Sequence, residues 1–150
     1  DADYKKYEDN KLSTQIQAQT LEQYKDSSTY AKNARFKTWN SGGDLLTEGY
    51  CALLGINGDT KIYTLFNEIF IDNIEQNFKI NAESLKWNSE TKQMVSTKDG
   101  NVKLTRSDIE IQGSGFSASG ASKSFEFANP VTGTITTDDN ESNGEDFSEE

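Results

Sequence analysis

The 150-residue chain has no histidine and only one cysteine, one methionine and one proline. Without histidine there is no Ser-His-Asp or Cys-His pair and no imidazole metal site. The lone Cys51 excludes an intramolecular disulfide; in the apolar run Tyr50 to Leu54 it reads as a small buried hydrophobe. No apolar run approaches the roughly 18 residues of a membrane span, and no secretory leader is recognisable. A start at Asp-Ala-Asp-Tyr without Met is expected of a mature or shortened form. Basic clusters are also lacking: 15 Lys and Arg against 25 Asp and Glu leave −10, which argues against a nucleic-acid partner. Gly113-Ser114-Gly115 lacks the third glycine and the following helix of a phosphate loop, and nothing singles out a pair of carboxylates. The chain is therefore expected not to be an enzyme and to need neither cofactor nor metal.

What is present points to strands. Only 33% of residues are hydrophobic, so a 150-residue single domain has to be a thin, well-wetted layer structure. Between Ile80 and Phe116, apolar residues alternate with polar ones: Val102 and Leu104 with Lys103 and Thr105, Ile109 and Ile111 with Glu110 and Gln112. Period-2 alternation buries one face of each strand and wets the other. Asn88-Ser89-Glu90-Thr91 is a polar turn, and Asp99-Gly100 is expected to close a two-residue hairpin, because both positions accept φ > 0. Ser41-Gly42-Gly43-Asp44 and Asn57-Gly58-Asp59 supply further turns around a strand over Leu45 to Leu54. Lys61 to Asp72 adds one or two strands, and Phe125, Phe127 and Val131 form a last strand near Pro130, which suits an edge.

Ile16-Gln17-Ala18-Gln19-Thr20-Leu21-Glu22-Gln23-Tyr24 and Ile80-Asn81-Ala82-Glu83-Ser84-Leu85-Lys86-Trp87-Asn88 share Ile, Ala and Leu at one offset. Asn33-Ala34-Arg35-Phe36-Lys37 similarly matches Asn101-Val102-Lys103-Leu104-Thr105, a degenerate internal repeat. The first copy is thus expected to be strand, turn, strand, and its apolar spacing at 16, 18 and 21 gives no helix stripe. Three segments follow. Residues 1–11, charged and without period, are expected to be a flexible linker, 12–135 a β domain, and 136–150 a disordered tail. The tail holds seven acidic residues and no basic one, leaving −3 for the rest. Asp139-Asn140-Glu141-Ser142-Asn143-Gly144 with Glu150 matches a calcium loop only in part, lacking its aliphatic eighth position and flanking helices, so the tail reading is preferred. On pattern alone, Phe36, Trp39, Phe66, Phe116, Phe125 and Phe127 read as core rather than as a ligand groove.

The two repeat copies, Leu46-Thr47-Glu48, and Val102-Lys103-Leu104-Thr105-Arg106 followed by Ile111-Gln112-Gly113-Ser114-Gly115-Phe116 resemble, in order and spacing, the periplasmic domain of the LptC family. This family belongs to the LptA/OstA-like superfamily of lipopolysaccharide export, and the likeness spans Leu12 to Gly133. It implies an all-β fold, an antiparallel β-jellyroll or open twisted β-roll with an apolar interior groove. It also implies a periplasmic protein tethered to the inner membrane through a segment before Asp1. Such a protein takes lipopolysaccharide or a related glycolipid from transporter subunits of the LptF/LptG type. It passes the lipid to an LptA-like periplasmic protein by edge-strand pairing. The expected groove residues are Ile16, Ala18, Phe36, Ile62, Ile69, Ile80, Ala82, Val102, Leu104, Ile111, Phe116 and Phe125; the expected partner edge is Phe125, Phe127 and Val131. The alternatives are a β-roll adaptor of the envelope that binds no lipid and a soluble LptA-like bridge.

Overall fold

The structure, a computed structural model, describes residues 1–120, 123–135 and 145–149, and among these every regular element is a strand. In chain order they are β1 (Ala2–Glu8), β2 (Lys11–Ala18), β3 (Thr20–Gln23), β4 (Ser28–Trp39), β5 (Leu45–Asn57), β6 (Ile62–Asn73) and β7 (Phe78–Asn88). There follow β8 (Gln93–Ser96), β9 (Val102–Arg106), β10 (Ile109–Gly113), β11 (Phe116–Ser119), β12 (Ser124–Phe127), β13 (Val131–Ile135) and β14 (Glu145–Glu149). They form one antiparallel, 14-stranded open sheet in which most strands pair with a neighbour in sequence, the exceptions being successive strands that lie end to end. This is the open β-roll that the sequence leads one to expect.

Several strands are halves of one longer rung. β2 and β3 lie end to end along β4, and β8 and β9 end to end along β7. β11 and β10 continue this pattern against β8 and β9, and β12 and β13 against β11 and β10. The interruptions fall at Gln19, at residues 97–101, at Ser114-Gly115 and at residues 128–130. The long strands slip register on the same line: β5 against β6 between Tyr50 and Leu53, and β6 against β7 between Phe66 and Ile69. Asn33, Asn67, Glu68 and Gly115, all on this line, have φ of 50°, 62°, 51° and 68°. The line is a crease built of bulges, and bulges bend a sheet and reset its alternation. In β7 the buried residues run Phe78, Ile80, Ala82 and then Leu85, a step of three in place of two.

The crease folds the sheet into two walls facing each other. The first wall comprises β3, β8, β11, β12 and the adjoining halves of β4 to β7; the second comprises β1, β2, β9, β10, β13, β14 and the other halves. Inward residues at the crease on the second wall are small: Ala18, Ala34, Cys51, Ala82 and Val102, all buried. Small side chains let the walls converge there. Against them lie Ala31, Leu54, Leu65, Leu85 and Phe116 of the first wall, also buried.

Two expectations need correction. Residues 2–8 are a strand, not a linker, because Tyr4 pairs opposite Ile16 and packs on the core while its neighbours face water. Asp9-Asn10, with φ of 51° and 65°, makes the tight two-residue hairpin to β2. Asp99-Gly100 makes no hairpin: β8 and β9 both pair with β7, and neither residue has positive φ. Gly100 N–H instead donates to Thr97 O at 3.1 Å, a loop that bulges from the crease. Of the expected tail, residues 145–149 pair with β13; residues 136–144 and 150, including the partial calcium loop from Asp139 to Gly144, lie outside the described residues.

Candidate functional site

Away from the crease the walls diverge and leave an apolar groove of about 340 Å³. Leu54, Tyr63, Leu65, Trp87, Met94 and Ala118 line it from the first wall, and Ile16, Phe36, Trp39, Ile71, Phe78 and Ile80 from the second. These positions share a face because paired residues of antiparallel strands project the same way: Ile16 with Phe36, Ile71 with Ile80. Gly49, opposite Phe36, makes room for that ring; a Cβ there would lie 2.6 Å from Phe36 Cζ.

The rim is polar. Lys6, Glu8, Ser13, Thr14, Glu75, Ser89 and Lys92 surround the mouth, and Lys6 Nζ lies 3.7 Å from Glu8 Oε1. The Tyr63 hydroxyl, held between the walls, has its pKa pushed up to about 12 by burial first, and then by Tyr4 and the charge of Glu8. Tyr4 and Tyr63 thus bound the groove toward the N-terminal edge. At the other end, Phe78 and Phe125 meet across the walls with ring centroids 6.1 Å apart, backed by Phe116 and Phe127.

Of the twelve residues expected to line the groove, Ile16, Phe36 and Ile80 do so. Ala18, Ile69, Ala82, Val102, Leu104 and Phe116 face the same way but are buried in the crease and beside it, behind the groove. Phe125 closes one end. Ile111, opposite Leu104, is half-buried on the inner face. Ile62 has the opposite phase from Tyr63 and Leu65 and lies on the outer face, as does the exposed Phe66. Of the expected edge, Phe125 and Phe127 belong to β12, which among the described residues pairs with β11 alone. Val131 belongs to β13, which is paired on both sides, by β10 and β14. Their side chains all point inward, so an edge there is offered by the backbone. Sequence reasoning missed Trp39, Leu54, Tyr63, Leu65, Ile71, Phe78, Trp87, Met94 and Ala118. The signal for Trp87 was its two-residue step from Leu85, which continues the phase reset at the crease.

Among the described residues no three His, Cys, Asp or Glu side chains converge, and no helix is long and apolar enough to cross a membrane. Cys51 faces inward at the crease, its thiol pushed up to about 12 by burial. An apolar slot with a polar rim, opened by a folded antiparallel sheet, defines an open β-roll with an apolar interior. The family model described as "Lipopolysaccharide-assembly, LptC-related" matches residues 1–136, and the chain belongs to that family. No curated protein matches the sequence. Membership makes the protein a component of lipopolysaccharide transport in the periplasmic part of the cell envelope, and the family is one of transport components, not of enzymes.

Proposed function

We propose that the groove between the two walls holds an acyl chain of lipopolysaccharide or a related glycolipid while its sugars stay in water at the rim. The carrying observation is the groove itself, lined on both walls by apolar side chains and bordered by polar ones. In this reading the protein is tethered at the inner membrane and receives the lipid from transporter subunits of the LptF/LptG type. It delivers the lipid to an LptA-like protein whose sheet pairs with an edge strand, joining one groove to the next. Release then requires no chemistry, only an equally apolar neighbouring groove. Among the described residues four strands are paired on one side alone: β1, β3, β12 and β14.

Photo-crosslinking amino acids at Phe36, Met94 and Ile62, in cells making lipopolysaccharide, test the reading. Lipid adducts are expected at Phe36 and Met94 and not at Ile62. Protein adducts alone at all three positions would reject the conduit and leave an envelope adaptor of the same fold.

A further inference from the structure

Arg106 ends β9 on the inner face, two and four residues beyond the buried Leu104 and Val102. Its guanidinium carbon sits 5.6 Å from the Phe78 ring centroid on one wall and 5.7 Å from that of Phe125 on the other. Nη2 donates to the Gln76 carbonyl at 3.1 Å, and both Gln76 and Phe78 line the groove mouth. Nε is buried and among the described residues has no acceptor. Among the described residues no carboxylate pairs with this arginine, although acidic side chains outnumber basic ones by ten in the whole chain. A permanently charged, half-buried group held between rings and without a counter-charge among the described residues is an anomaly, since buried donors and charges are nearly always matched. The two rings favour the cation without neutralising it, and the planar fork is suited to a phosphate.

We infer that Arg106 is an oxyanion-binding subsite at the β12 end of the groove mouth, taking a phosphate group on the ligand whose acyl chain occupies the groove. The inference rests on the groove reading. When the ligand enters, the N–H edge of the guanidinium not taken by the Gln76 carbonyl meets the phosphate, and Phe78 and Phe125 flank it. The subsite would thereby orient the lipid, with its charged end fixed near β12 and its chain running toward β2.

Trp39 and Trp87 both line the groove, so their fluorescence reports occupancy. The test titrates the chain with dodecyl phosphate, dodecyl maltoside and inorganic phosphate, each below micelle formation, in wild type, Arg106→Gln and Arg106→Lys. Dodecyl phosphate is expected to bind wild type about 10- to 100-fold more tightly than the maltoside, the range of one charge-assisted contact. Arg106→Gln should erase that preference, dodecyl phosphate then binding no more tightly than the maltoside; Arg106→Lys should keep part of it, which separates lost charge from lost folding. A preference that survives Arg106→Gln overturns the subsite while leaving the groove intact. Inorganic phosphate binding as tightly as dodecyl phosphate, and lost in Arg106→Gln, overturns the lipid headgroup as its source. If neither dodecyl ligand changes the tryptophan signal, the groove reading itself fails.

Discussion

If the groove binds one extended alkyl chain, affinity should rise with chain length at a slope fixed by hydrophobic transfer and then stop where the groove ends. Five rungs of the first wall line it, those of β5, β6, β7, β8 and β11. Four inter-strand spacings of about 4.8 Å give a length of about 19 Å. An extended chain advances about 1.2 Å per bond, a third of an extended residue, so the slot accommodates roughly 16 methylenes. Each buried methylene contributes about 0.8 kcal/mol, or about a fourfold gain in affinity. The fixed costs of association lower every affinity in a homologous series equally, so they leave the slope untouched. A cavity of about 340 Å³ is at the small end for ligand sites, which restricts it to a single chain of a multiply acylated lipid.

The assay is a series of alkyl maltosides from eight to eighteen carbons, titrated below micelle formation and read by Trp39 and Trp87 fluorescence. From eight to twelve carbons the dissociation constant should fall by about 200-fold or more. Beyond roughly 16 carbons it should level off, because further methylenes emerge at the rim and stay wet. A constant that does not change between eight and twelve carbons refutes burial along the groove. A slope that continues undiminished to eighteen refutes its length.

Three further outcomes follow from the packing. Gly49→Ala drives a methyl into the Phe70 carbonyl and the Phe36 ring, so it should destabilise by about 1–3 kcal/mol in urea unfolding; an unchanged midpoint would show that Phe36 does not rest there. Gly115→Ala should cost at least about 1 kcal/mol more than Gly43→Ala: both glycines have positive φ, but only at Gly115 would the new Cβ come within 2.9 Å of Ala128 Cβ, while Gly43 has open space. Equal losses would mean that the crease tolerates widening. Cys51 and Tyr63 have folded pKa values raised by burial to about 12, from 9.0 and 10.0. The folded state therefore holds their protons more tightly, and their contribution is fully present below pH 9.0, falls as pH rises, and is lost by about 12. Cys51→Ala should delay the onset of that fall to about pH 10, where the unfolded tyrosine begins to titrate. A profile of unchanged shape would refute the burial of the thiol.

The fold class was legible because alternation is a local property: Val102-Lys103-Leu104 and Phe78 to Ala82 carry it within a few residues. The crease was written in the sequence as well, in a form that alternation hides. Ile16, Ala18, Leu21 and Ile80, Ala82, Leu85 step by two and then by three, because Gln19 and Glu83 sit on the same line across the sheet. Asn33-Ala34 and Asn101-Val102 put an asparagine on that line and a fully buried residue just after it. The internal repeat is thus the imprint of one bend crossed twice. Groove membership was not legible, since it depends on distance from the crease, and inward residues near the crease and far from it look alike in a strand pattern. For the same reason Val102 and Ile80 were indistinguishable in sequence, yet one is sealed in the hinge and the other lines the slot. Asp99-Gly100 misled because its composition suits a turn; which strands a turn joins is decided by long-range pairing with β7.

One physical consequence ties the bend to transport. A flat meander of this length would expose its whole apolar face, whereas a closed barrel would fill its interior with side chains or seal it. Folding an open sheet along a line of bulges does neither: small residues close the walls at the crease, and the larger Trp39, Phe36, Tyr63 and Trp87 spread them toward the mouth. The opening follows from side-chain size at the two margins of each wall. Substitutions that enlarge Ala18, Ala34 or Ala82 should therefore widen the hinge and act on the groove from a distance. Their effect would appear in chain-length selectivity as well as in stability, because overpacking at the crease displaces whole strands rather than single side chains.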